Sequence, residues 1–120
     1  MKREIISIEN GIVSIPTSYS IWMSVHEIAG LFECFVAKVN SNIRSILESG
    51  VLDENKAHCY HHYDNGGFLE LYSLEMITAL AFRIKSHEAE IFRDYLLRRM
   101  TAADKVSVVW KVPLFGAMLN

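Results

Sequence analysis

The run His58-Cys59-Tyr60-His61-His62 is the densest group of metal-ligating and titratable side chains in the sequence. Imidazole and thiolate are ligands that zinc favours, and a structural zinc site closes around about four of them. In an extended strand, successive side chains point to opposite faces. His58 and His62 then share one side, and Cys59 and His61 the other. Three ligands converge there only if the strand bulges, and no second cysteine or histidine group stands at zinc spacing. The segment reads better as a polar strand whose histidines meet solvent, a phosphate or a partner, in contacts that titrate near neutral pH. No metal and no cofactor is expected.

Other chemistry is equally sparse. The sequence holds no nucleophile–base arrangement, phosphate loop or dinucleotide fingerprint. Glu75, Glu88, Glu90 and Asp94 have the spacing of helix-surface carboxylates, not of a working acid–base pair. The expectation is a non-enzyme with no catalytic residue and no small-molecule substrate. With 120 residues, of which 51% are hydrophobic and 22% charged, the chain is sized for one ordered domain with its own core. A net charge of −2 and a pI near 6.2 lack the basic excess typical of nucleic-acid modules, so any basic surface is local. Met1-Lys2-Arg3 leads into a strand-like stretch broken at Asn10-Gly11, which is not the apolar core of a signal peptide. No run is long enough to span a membrane. Cys34 and Cys59 fit a cytoplasmic chain with reduced thiols.

The positioning elements follow from periodicity and punctuation. Residues 3–9 and 12–15 are rich in isoleucine and valine and flank Asn10-Gly11, the signature of a type I′ hairpin. Ile21 to Met23 form an extended apolar link. Ser24 and Glu27 have capping-box spacing, so a helix starts there with Val25, Ile28, Ala29 and Phe32 on one face. Glu33-Cys34-Phe35 turns the chain. A second helix carries Val36, Val39, Ile43, Ile46 and Leu47 on one stripe, and Gly50 stops it. Residues 57–63 and 68–72 bracket Asp64-Asn65-Gly66-Gly67 as a second hairpin. Ser73 caps a very apolar helix to about Lys85, with Leu74, Ile77, Leu80, Ala81 and Ile84 as its main stripe. Ser86 caps a last helix through Met100, with Asp94 and Arg98 as an i,i+4 pair. Val106, Val108, Trp110 and Val112 alternate as one strand that Pro113 ends.

A helix, a turn, a second helix and then a glycine-tipped hairpin make the winged helix-turn-helix order. The expected class is α+β: an N-terminal hairpin and link over 1–23, helix-turn-helix over 24–50, a wing over 57–72, two helices over 73–100 and a tail over 101–120, all in a single domain.

The segment Ile21-Trp22-Met23-Ser24 followed by Glu27-Ile28-Ala29-Gly30-Leu31-Phe32 resembles the opening of the virulence-associated RhuM family. The resemblance continues through Asn42-Ile43-Arg44-Ser45-Ile46-Leu47-Glu48-Ser49-Gly50-Val51-Leu52. It resumes at Leu71-Tyr72-Ser73-Leu74-Glu75-Met76-Ile77 and at Phe82-Arg83-Ile84-Lys85-Ser86, and it reaches Phe92-Arg93. The last block is also similar to the end of the Bro-N type phage antirepressor domain. The match covers about residues 20 to 100, and the chain is similar to the amino-terminal domain of proteins that are usually longer. It implies a DNA-binding or regulatory domain associated with mobile elements or phages.

Two departures from the pattern matter. The turn position that favours glycine is Glu33, and a non-glycine residue at positive φ costs on the order of 1 kcal/mol. The family places Asp and Arg at the start of the recognition helix, where this chain has Phe35, Val36 and Ala37. Base readout needs hydrogen-bonding side chains, and phosphate anchoring needs cations or polar donors. Lys38, Asn40, Ser41 and Arg44 remain suitable on the helix, with His61, His62 and Asn65 on the wing. Phe35 and Ala37 suit a protein partner instead, although Phe35 packed into the turn as core is an equal alternative. Arg83, Lys85, Arg93, Arg98 and Arg99 make the later helices locally basic, either as a phosphate-contacting flank or as a salt-paired face. Trp110 and Phe115 either cap the core or meet a second copy of the chain in a homodimer. DNA is thus the first expected partner, and a protein that has taken over the surface is the second.

Overall fold

The computed structural model describes residues 5–17 and 20–108. Strands β1 (Ser7–Glu9) and β2 (Ile12–Ser14) pair antiparallel, with Ile8 opposite Val13. Asn10 and Gly11 between them have φ of 54° and 77°. Two successive positive φ angles are what a type I′ turn demands, and Asn-Gly supplies them cheaply. Strand β3 (Trp22–Met23) follows where the sequence predicted only an extended link.

Helix α1 (Val25–Phe32) starts on a complete capping box. The Glu27 backbone N–H donates to Ser24 Oγ at 3.2 Å, and the Ser24 N–H donates to Glu27 Oε1 at 2.8 Å. The helix buries Ile28, Ala29, Leu31 and Phe32 and ends at Glu33, whose φ of 52° and ψ of 53° are left-handed. Helix α2 (Val36–Ser49) buries Val39, Ile43 and Ile46, with Val36 and Leu47 packed at the margins of the core. That is the predicted stripe, and Gly50 at φ 76° closes the helix as predicted.

A one-turn helix, α3 (Glu54–Ala57), comes next; Asp53 caps it by accepting the Asn55 N–H at 3.0 Å. The strand predicted from residue 57 therefore starts one residue later, because Ala57 is fully buried as the last residue of α3. Strands β4 (His58–His62) and β5 (Phe68–Ser73) form the second hairpin. β5 also pairs with β3, Met23 facing Tyr72, so the sheet order is β3-β5-β4.

Helix α4 (Leu74–Ala81) begins at the predicted Ser73 cap but stops before the predicted Lys85. Two carbonyls at this early end are taken by α5: Arg93 Nη1 donates to Ala81 O at 2.7 Å and to Ile84 O at 3.1 Å. The buried side of α4 is Met76, Ile77, Leu80 and Ala81; Leu74, expected in the buried stripe, is exposed, as is Phe82 just beyond the helix. Helix α5 (His87–Val108) starts on the predicted Ser86 cap, whose Oγ accepts the Ala89 N–H at 3.0 Å. It runs past the predicted end at Met100, and Val106 and Val108 lie in this helix instead of the predicted strand. Residues 109–112 of that strand lie outside the described residues.

The described residues thus form one α+β body with two small sheets and five helices. Its core joins Met23, Ile28, Phe32, Val39, Ile46, Met76, Ile77, Leu80, Ile84 and Phe92.

The turn at Glu33 gives a direct test. Glycine occupies this backbone region without a Cβ clash, whereas a β-branched residue fits it worst. Glu33→Gly is expected to raise the urea unfolding free energy by about 0.5–1 kcal/mol, and Glu33→Val to lower it by about 1 kcal/mol or more. Equal stabilities for the two variants would contradict the strained turn.

Candidate functional site

With its stripe turned inward, α2 sends the opposite side to solvent. Lys38, Asn40, Ser41 and Arg44 are all exposed, as predicted. At about 3.6 residues per turn, Ser41, Arg44 and Ser45 hold the middle of that face, and Lys38 and Asn40 stand on opposite margins. Asn42, a margin residue, is spent on its own helix, its amide donating to Lys38 O at 2.9 Å. Glu48 is exposed one turn beyond Arg44, so the face is not uniformly positive.

One cation joins this face from outside α2. Arg83, in the turn after α4, donates from Nη1 to Ser45 Oγ at 2.9 Å. The hydroxyl is neutral, and among the described residues no carboxylate pairs with this guanidinium beside the α2 surface. No local signal ties residue 83 to residue 45; only the packing of α4 on α2 does. The other expected basic residues behave differently. Arg93 is spent on backbone carbonyls inside the α4–α5 turn. Arg98 pairs with Asp94 at 3.0 Å with both side chains well exposed, and Arg99 lies over the Tyr95 ring. An exposed pair of this kind contributes little stability.

The start of α2 is apolar. Phe35 sits in extended conformation at the N-cap position without a side-chain cap, and it is 84% exposed. The alternative that buries Phe35 in the turn is therefore overturned: Phe32 already fills the core beside the turn, and the left-handed Glu33 directs the chain outward. Ala37 is exposed as well. Ala29, Gly30, Glu33, Cys34 and Phe35 line a shallow depression there. Burial pushes the Cys34 thiol above its usual pKa, and the nearby Lys38 charge opposes this.

On the hairpin, the register sets His58, Tyr60 and His62 opposite Tyr72, Glu70 and Phe68, and sets Cys59 and His61 opposite Leu71 and Leu69. This is the predicted split of the histidine cluster between two faces. Among the described residues, no three His, Cys, Asp or Glu side chains gather as ligands for a metal ion. His58 serves the fold. Its Nδ1 lies 3.2 Å from Glu54 O, its Nε2 lies 3.3 Å from Glu70 Oε2, and its ring stacks on Tyr72. His61 is half-buried, edge-on to Tyr63, while His62 is exposed near Phe68. Asn65 spends Oδ1 on the Gly67 N–H at 2.9 Å, which shapes the tip. The candidates therefore lie on two surfaces, α2 and the hairpin. Trp110 and Phe115 lie outside the described residues.

Compared with known proteins, the chain gives no significant match to any family model, curated protein or solved structure. Among the described residues, no helix is long and apolar enough to cross a membrane.

Burial, with the Glu70 carboxylate as a second cause, holds the Tyr72 phenol well above its ordinary pKa. The fold thus favours the neutral phenol. Its stabilising contribution is complete below the unfolded pKa near 10 and is lost as pH climbs toward the folded value. Urea unfolding between about pH 8 and 11 is expected to show stability falling with pH, less steeply in Tyr72→Phe. Identical slopes would contradict this account.

Proposed function

We propose that this chain is a winged helix-turn-helix DNA-binding domain, with α2 as the helix presented to the duplex. One observation carries the reading: Ser41 and Arg44 are exposed on the solvent side of a helix whose other side is locked in the core, and Arg83 meets that helix at Ser45. Arg44 and Arg83 would hold phosphates or guanine edges, Lys38 would add a phosphate contact, and Asn40 and Ser41 would supply hydrogen bonds. The element order supports it, since a strand before α1 pairs with the far strand of the hairpin after α2. In the winged arrangement that hairpin flanks the duplex, bringing His61, His62 and Asn65 toward the backbone or minor groove. The resemblance to the RhuM family adds a role in regulating a mobile element or prophage within the cytoplasm.

A second reading rests on Phe35. A phenylalanine with 84% of its surface in water, beside Ala37 at the very end that would enter a groove, suits a protein contact better than a base edge. In that reading the fold persists as an interaction module without DNA affinity.

A fluorescence anisotropy titration on duplex DNA at low salt separates the two. The first reading predicts binding whose log–log salt slope is about −2 to −3, with Arg44→Ala and Arg83→Ala each reducing the slope by about 1 and the circular dichroism unchanged. Affinity no greater than that of a neutral control protein would sink it. The second reading predicts that result, together with an assembly that Phe35→Glu dissolves without unfolding.

A further inference from the structure

Strand β4 ends its sheet. In the order β3-β5-β4, its outer edge has no neighbouring strand among the described residues. Tyr63 donates its N–H to Gly67 O at 2.8 Å, so the backbone of residue 63 faces β5. Along an antiparallel strand this orientation alternates. The backbone groups of His61 and Cys59 therefore also face β5, and those of Tyr60 and His62 point outward. The His58 N–H is already taken, donating to Glu54 O as the cap of α3. The free edge is thus the short stretch from Tyr60 to His62.

Edge strands are normally guarded by lysine, proline, a bulge or a covering element. His58-Cys59-Tyr60-His61-His62 carries none of the first three, and its pairing with β5 is regular throughout. Apolar rings stand alongside: Tyr60 is 50% and Phe68 61% exposed, and the two meet edge-on at 5.2 Å.

We infer that the β4 edge pairs antiparallel with β4 of a second copy of this chain, on a two-fold axis through His61. This register sets Tyr60 opposite His62 of the partner subunit and uses the outward N–H and C=O groups of both residues in about four backbone hydrogen bonds. Each copy offers the same patch, as a closed two-fold interface requires. Charge favours this occupant. The strand itself carries no Lys, Arg, Asp or Glu, so two copies meet without fixed like charges. The nearest charged residues are Lys56 before the strand and Asp64 after it, with Glu54 further back. Antiparallel pairing brings the Lys56 end of one copy to the Asp64 end of the other. Pairing uses backbone, so the His61 and His62 side chains stay on the two sheet faces. The inference is independent of the DNA reading.

The test is sedimentation equilibrium of the full chain, joined to amide hydrogen exchange. The wild type is expected to dimerise, with the Tyr60 and His62 amides gaining protection as concentration rises. His62→Pro removes one outward N–H that β5 does not use, and Tyr60→Lys places a guard charge on the edge. Each is expected to raise the dimer dissociation constant on the order of tenfold or more, with thermal melting of the monomer retained. Should the proline variant fail to fold, the lysine variant decides. A monomeric wild type overturns the inference. In a monomer, concentration-independent protection of these amides would show that the edge is covered within one chain. A dimer that both folded variants leave intact also overturns it, by placing the interface elsewhere.

Discussion

Phe32 meets Phe92 edge-on, with ring centroids 5.7 Å apart, and both side chains are completely buried. This contact fixes the last residue of α1 against α5 at the point where the chain must reverse. An aromatic ring in a packed core cannot slide without opening a void that costs several kcal/mol. With Phe32 held, the next residue has to supply the change of direction, and Glu33 does so in a left-handed conformation. The orientation of α2 follows, because Val39, Ile43 and Ile46 have only one surface to meet. The free side of α2, and everything argued about it, depends on that sequence of constraints.

The arginines divide according to what the fold needs. Arg93 satisfies carbonyls that the short α4 leaves open, so its charge is committed to structure. Arg83 is anchored by a neutral hydroxyl and keeps its charge available. A chain with a net charge of −2 gains little long-range attraction for nucleic acid, so placement of a few cations matters more than their number. The hairpin shows a parallel division. His58 ties α3 to the sheet through Glu54 and Glu70, whereas His62 stays at the solvent edge.

Much of the fold was legible because its signals are local. Asn10-Gly11, Ser24 with Glu27, the α2 stripe, Gly50, Ser73 and Ser86 each act within a turn or two of chain, and each appears where periodicity and capping chemistry place it. What stayed hidden depends on partners distant in sequence. The Trp22–Met23 strand exists because β5 pairs with it, and the carbonyls at the early end of α4 find their partner in Arg93 of α5. Leu74 alone of the predicted α4 stripe was misplaced, because so apolar a helix gives a weak facial preference; tertiary contacts chose Met76 over Leu74. Val106 and Val108, read as the start of a strand over residues 106–112, lie in α5, because a long helix tolerates such an alternation equally well. In the candidate site, the exposure of Lys38, Asn40, Ser41 and Arg44 was readable from the stripe opposite them. Arg83 at Ser45 was not, being a contact between elements, and neither was the exposure of Phe35, which the left-handed Glu33 decides.

Mapping backbone amide and arginine side-chain NMR shifts while duplex DNA is added tests the central claim most directly. The account predicts perturbations concentrated on Lys38, Asn40, Ser41, Arg44 and the Arg83 guanidinium, with the core residues Val39, Ile43 and Ile46 shifting least along α2. Shifts that spare this face while the duplex binds elsewhere, or no shifts at all at low salt, would contradict it.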